Sequence, residues 1–221
     1  MTGEELKQSI LQMAIQGKLV PQDPENDEPA WKLLERIKKE KDRLIKGKKI
    51  KKEKPLPPIT QEEKPFEIPN NWEWVRLGDT ITLISGQDMT PDKYFSQNED
   101  GAVPYITGAS NIQNNHVIIN RFTRVPKSLA YKGNLLLTCK GTVGLMAYLE
   151  ADKAHIARQI MAINPIVIKI DYIKHFLARY VELLRFNAKS LIPGIDRKTI
   201  LHLSFPLPPL EEQKRIVAKL E

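Results

Sequence analysis

Five prolines, Pro55, Pro57, Pro58, Pro65 and Pro69, crowd one short stretch of the chain. Each lacks an amide hydrogen and fixes φ, so neither a helix nor an internal strand runs through residues 55–69. An extended linker lying against something is expected there, and it sets residues 1–54 apart from the rest of the chain. In that first segment Thr2-Gly3-Glu4-Glu5 matches a capping box, and Leu6, Ile10, Met13 and Ala14 recur at helical spacing until Gly17. Pro21 and Pro24 end this helix. A second is signalled by Asp27, by Pro29 in the first turn, and by Leu33, Leu34, Ile37, Leu44 and Ile45 up to Gly47.

After the linker, Trp72-Glu73-Trp74-Val75-Arg76-Leu77 alternates as a strand does, which puts Trp72 and Trp74 on one side, in the core. Short β-type runs come next, punctuated by Gly86, Pro91, Gly101, Pro104, Gly108, Gly133, Gly141 and Gly144. Ile118-Ile119, Leu135 to Leu137 and Ile160 to Ile163 read as buried strands. One helix interrupts them, capped by Asp171, with Ile173, Phe176, Leu177, Tyr180, Leu183 and Leu184 as its stripe. Residues 70–207 are therefore expected to form a mixed α/β domain. From Pro208-Pro209 a last helix starts and runs to Glu221 with no terminator, which suggests a chain cut from a longer protein or a half-sized version of one.

The net charge of +7 comes from two zones. Residues 32–54 hold 12 Lys or Arg against 4 Asp or Glu, alternating around one apolar stripe, the pattern of a solvated helix face with Lys48 to Lys54 left to touch phosphate. Residues 70–207 hold 16 against 11. Cys139 is the only cysteine, which rules out an internal disulfide and reads as a small buried hydrophobe in a reducing compartment. No apolar run is long enough to span a bilayer, and the start lacks a basic-then-apolar leader, so a cytoplasmic protein is expected.

The string Phe205-Pro206-Leu207-Pro208-Pro209-Leu210-Glu211-Glu212-Gln213-Lys214-Arg215-Ile216 resembles the junction where a target-recognition domain of a Type I restriction-modification specificity subunit enters its spacer helix. Ile68-Pro69-Asn70-Asn71-Trp72-Glu73-Trp74-Val75-Arg76-Leu77-Gly78-Asp79 resembles the opening of such a domain. Ser85-Gly86 with Thr90-Pro91, Val103 to Thr107 with Asn111-Ile112, and Gly133 to Leu137 with Gly141 to Gly144 come in the family's order. Residues 6–24 and the basic helix leading into Pro55 resemble the segment that precedes it. The resemblance implies a target-recognition domain with a mixed or antiparallel sheet and few helices, flanked by amphipathic, coiled-coil-forming spacer segments at 1–54 and 208–221. It implies a non-catalytic subunit that reads one half of a bipartite double-stranded DNA target. Modification and restriction subunits are its implied partners, with self-association of half-subunits a further option. S-adenosylmethionine, ATP and Mg²⁺ belong to those partners. A second recognition domain is lacking, which keeps open an alternative: an assembly or regulatory half-subunit that binds modification subunits without reading DNA.

The residues agree that chemistry lies elsewhere. Asn164-Pro165-Ile166-Val167 fails an Asn-Pro-Pro-aromatic methyltransferase motif at two of four positions, Gly141-Thr142-Val143-Gly144 lacks dinucleotide-loop spacing, and Pro91-Asp92 has no acidic-x-Lys partner nearby. His116, His155, His175 and His202 show no metal-ligand spacing. What stands out is residues 101–149, which contain no acid but hold Arg121, Arg124, Lys127, Lys132 and Lys140, a set suited to phosphate. Asn111 and Gln113 in the same stretch, Gln87 and Thr90 in an earlier loop, Thr142 beside Lys140, and Arg197 and Lys198 before the last strand are the candidates for reading base edges. Asn114-Asn115 serves equally as a turn.

Overall fold

The capping box forms as the sequence predicts: Thr2 Oγ1 accepts from Glu5 N–H, the Glu5 carboxylate accepts from Thr2 N–H, and α1 runs Gly3–Ile15. This computed structural model describes residues 2–188 and 194–221. By packing, the chain divides into one unit of Met1–Thr82, Pro165–Leu183 and Lys198–Glu221 and a second of Leu83–Asn164 and Leu184–Arg197.

In the first unit α1 is capped at Gln16, and Gly17 takes a left-handed φ of 70°, where a Cβ would strike Pro69. Helix α2 (Ala30–Lys46) starts after Pro29 and buries Ala30, Leu33 and Ile37, leaving its basic face in solvent. Asp27 does not cap it; its carboxylate instead receives both terminal nitrogens of Arg215 in α6 (Leu210–Leu220). The proline-rich stretch is held by Arg76, which is 5% exposed and donates to Pro57 O and Pro58 O, each at 2.9 Å, to the Glu63 carboxylate at 2.7 and 2.8 Å, and to His202 O. Arg76 ends β1 (Glu73–Arg76), antiparallel to β12 (Ser204–Leu207), and the one-turn helix α3 (Leu77–Thr80) comes directly after it. Trp72 precedes β1 rather than belonging to it, yet is buried. Helix α4 (Ile170–Asn187) begins one residue before Asp171 and sets Tyr172 and Phe176 edge-on to Phe205. Arg197 to Thr199 and His202 all belong to α5 (Arg197–His202).

The second unit carries two four-stranded sheets. One has the order β2 (Ile81–Ser85), β11 (Ile160–Pro165), β8 (Leu135–Thr138), β9 (Met146–Tyr148); the other β6 (Phe122–Thr123), β3 (Val103–Ile106), β10 (Lys153–Ile156), β7 (Leu129–Tyr131). Strands β3 and β10 run parallel, whereas β3–β6, β7–β10, β8–β9 and β8–β11 are antiparallel, so the architecture is mixed α/β. The unbroken apolar runs of β8 and β11 are buried on both faces, which is why they do not alternate. Ile106, Leu136, Leu149, Ile156, Ile160 and Ala162 meet in the core. Ile118 and Ile119 are not a buried strand: they come after the hairpin β4 (Ile112–Gln113) and β5 (His116–Val117) and are 41% and 39% exposed. Asn114 and Asn115 join that hairpin with left-handed φ of 49° and 64°, the geometry a two-residue turn demands.

Candidate nucleic-acid interface

Strand direction decides which polar side chains can meet. At one end of the second unit β2 leads out through Gly86 to Gln87, β3 through Thr107, and β8 through Cys139 to the loop 139–144; β10 turns into β11 through residues 157–159. Hydrogen bonds tie these segments together: Gly86 N–H to Ile160 O at 3.1 Å, Gln87 N–H to Ile156 O at 2.9 Å, Ala157 N–H to Ile106 O at 2.9 Å, and Cys139 N–H to Gln159 O at 2.8 Å. Ile195 N–H adds the segment before α5 by donating to Cys139 O at 2.9 Å.

His155 holds the same end from inside. It is fully buried, its Nδ1 accepts from Lys127 N–H at 3.2 Å and Ser128 N–H at 3.1 Å, and its Nε2 lies 2.9 Å from Gln87 O. Two donors at Nδ1 and an acceptor at Nε2 fix the neutral Nε2–H tautomer. Burial, the largest influence, pushes the pKa of this ring down, in keeping with that neutral form.

Of the sequence-predicted residues, Gln87, Lys127, Lys140 and Thr142 are exposed on segments of this loop end, and Arg121 reaches it because its carbonyl accepts from Tyr105 N–H near the close of β3. The Arg121 guanidinium lies 5.3 Å from the centre of the Tyr94 ring. Thr90, also exposed, precedes the 3₁₀ turn Pro91–Lys93. Lys132 lies at the opposite end of β8 from Lys140. Arg124 sits beyond β6, towards the start of β3, 2.8 Å from Glu99. Gln113 is exposed beside a hairpin tip whose His116 pairs with Glu150 at 2.9 Å, past the end of β9 remote from Lys140. The stretch without acids in sequence thus meets Glu99 and Glu150 in space.

Asn111 is fully buried. Its Oδ1 accepts from Thr107 N–H and Oγ1–H, both at 2.9 Å, and its Nδ2 donates to Ile118 O at 2.8 Å and Asn120 Oδ1 at 3.1 Å, so its side chain is occupied within the unit. Arg197 Nη1 donates to Leu83 O, while Lys198 stands exposed one residue on.

Sequence reasoning passed over the pair at the centre of the loop end, Arg158 and Gln159. They occupy the middle of a turn closed by Ile160 N–H to Ala157 O at 2.9 Å. Added Cβ atoms at Gly86 and Gly108 would collide with the Ala157 backbone and the Gln159 side chain, so these glycines let neighbouring loops close on the turn. A signal was available: a polar pair interrupts the apolar run from Ala154 to Ile163.

The second unit thus gathers exposed basic and amide side chains on the loops at one end. The chain belongs to the Type I restriction modification DNA specificity domain family, whose model matches residues 69–221. It is 35% identical over 234 residues to the Type I restriction enzyme EcoEI specificity subunit of Escherichia coli, covering 98% of this chain and 39% of that protein. The EcoAI specificity subunit of Escherichia coli is 63% identical over 91 residues, covering 41% of this chain and 15% of that protein. The HsdS subunit of Thermoanaerobacter tengcongensis shares the fold with a TM-score of 0.63 at 23% identity, over 85% of this chain and 46% of that one. The chain spans about two-fifths of the length of the EcoEI subunit it matches.

Proposed function

We propose that this chain is the sequence-specific double-stranded DNA recognition component of a Type I restriction-modification complex and reads one half of a bipartite target. Membership of the specificity-domain family over residues 69–221 carries this reading. Residues 70–207 are assigned to DNA recognition, and 1–54 and 208–221, bridged by the strap 55–69, to assembly. Arg121, Lys127 and Lys140, on the loop end, are the phosphate-gripping residues of this reading, with Arg124 and Lys132, away from that end, as further candidates. Gln87, Thr90, Thr142 and Lys198 are its base-edge candidates, with Gln113 on the outlying hairpin. The chain directs methyl transfer and cleavage without performing them; S-adenosylmethionine, ATP and Mg²⁺ are used by modification and restriction subunits. None of the described helices is long and apolar enough to cross a membrane, and the reading puts the protein in the cytoplasm with its DNA.

The test is binding of the full chain, assembled with its modification subunits, to duplex DNA over a salt series. Replacing Arg121 or Lys140 with Ala is expected to weaken all duplexes alike and flatten the plot of log affinity against log salt by about one unit for each phosphate no longer neutralised. Unchanged affinity and slope for all five basic variants would remove this surface from DNA binding. A second reading, an assembly half-subunit without DNA recognition, is favoured by the apolar side chains on the leader helices: Leu6, Met13 and Trp31 are 45%, 41% and 50% exposed. Tight association with modification subunits and no duplex binding at low salt would select it.

A further inference from the structure

We infer that Arg158, held by Asp88, determines specificity by reading a guanine, an inference that rests on the DNA-recognition reading above. Asp88 holds the same residue at two points. Its Oδ1 accepts from the backbone N–H of Arg158 at 3.1 Å and its Oδ2 lies 2.7 Å from Nε. A lone exposed ion pair fixes little, because two flexible side chains must be ordered for a screened attraction. Here one carboxylate fixes the backbone and the guanidinium together, in a turn already closed by Ile160 N–H to Ala157 O and packed against by Gly86 and Gly108.

The pairing goes through Nε, so both terminal nitrogens of Arg158 are left without a hydrogen-bond partner among the described residues, and its side chain is 67% exposed. Those two nitrogens form a planar fork of fixed spacing. A fork of this kind matches O6 and N7 of guanine in the major groove, and holding it beforehand reduces the ordering required on binding. Phosphate would also take a fork, but an arginine whose charge is offset by a bound carboxylate makes a poor non-specific phosphate clamp. Asp88 itself repels the backbone. It therefore favours a base edge, where geometry outweighs net charge, and its position in the Gln87 loop couples two recognition segments. Asp88 is a positioning residue in this scheme; Arg158 touches the base.

The experiment selects duplexes from a randomised library with the full chain assembled with its modification subunits, for the wild type and for Arg158→Ala, Arg158→Lys and Asp88→Asn. The wild type is expected to enrich a motif containing a guanine whose preference falls about 10- to 100-fold in both Arg158 variants, with other positions unchanged. Lysine keeps the charge and loses the fork. Asp88→Asn is expected to lower the same preference while raising affinity for random duplexes, because it removes a negative charge beside the DNA. Thermal melting of each variant, expected to match the wild type, separates these effects from misfolding. Retention of every motif position in the Arg158 variants overturns the inference and leaves the DNA-recognition reading standing. So does a uniform loss on all sequences in Arg158→Ala with a salt slope reduced by about one, which marks phosphate binding. A wild-type complex that enriches no motif overturns both.

Discussion

Glu212 is a carboxylate with no exposed surface at the start of α6, and replacing it tests how the Pro-Pro-Leu-Glu-Glu-Gln string works. Its Oε2 accepts from Trp72 Nε1–H at 2.8 Å and its Oε1 from Gln22 Nε2–H. Glu212→Ala leaves both donors unanswered in a buried place. Each hydrogen bond to a charged group is worth about 1.5–3 kcal/mol, and deleting the carboxylate also removes its own desolvation penalty, so the expected net loss is about 2–4 kcal/mol at neutral pH. Glu212→Gln keeps an acceptor for one donor without the charge and is expected to cost about 1 kcal/mol. Burial, the largest influence, raises the Glu212 pKa above its ordinary 4.5, against the lowering effect of the Trp72 and Gln22 hydrogen bonds. A raised folded-state value means that the folded chain binds a proton the unfolded chain has already released. The stability this adds is complete below 4.5 and is lost as pH rises through the folded value. The wild type should therefore gain on Glu212→Gln as the pH falls towards 4.5. Urea unfolding followed by tryptophan fluorescence at several pH values measures both effects. A midpoint for Glu212→Ala equal to that of the wild type, or a wild-type advantage over Gln that shrinks on acidification, would refute the reasoning.

Two further outcomes concern other polar anchors. Arg76→Ala should release residues 55–64, read as much faster cleavage after Glu62 and Glu63 by a glutamate-specific protease, because four backbone and carboxylate partners lose their donor at once. In the wild type the Arg76 hydrogen bond leads in holding the Glu63 pKa down to about 2, so the protection of the strap should fall progressively as the pH drops from the ordinary 4.5 through that value. Asn111→Ala should cost about 2–4 kcal/mol in urea unfolding, since Ile118 O and Thr107 N–H lose their buried partner; a variant of wild-type stability would make Asn111 a free base reader again.

The helices were legible wherever a local rule acted alone. The Thr2 capping box, the α2 stripe and the proline strap needed only neighbours in sequence, and the buried runs Leu135 to Leu137 and Ile160 to Ile163 were dense enough to specify strands. The misread segments are those where a distant partner outweighed a local preference. Asp27 has the chemistry of a cap, yet Arg215 lies within reach only after α6 has docked. Ile118-Ile119 has strand propensity, but the chain leaves the hairpin there, and Ile118 spends its backbone on Asn111 rather than on a ladder.

The basic stretch 101–149 shows the same limit in the site itself. Charge counted along a chain becomes charge on a surface only if the chain does not reverse, and each antiparallel strand carries successive residues to opposite ends of a sheet. Lys132 and Lys140 enclose β8 and so are separated by its whole length, while Glu99 and Glu150, outside the counted stretch, return to Arg124 and His116. The loop end of this unit is built from the ends of strands rather than from one segment. Its members are therefore scattered in sequence: Gln87 and Asp88 after β2, Thr142 after β8, and Arg158 and Gln159 between β10 and β11.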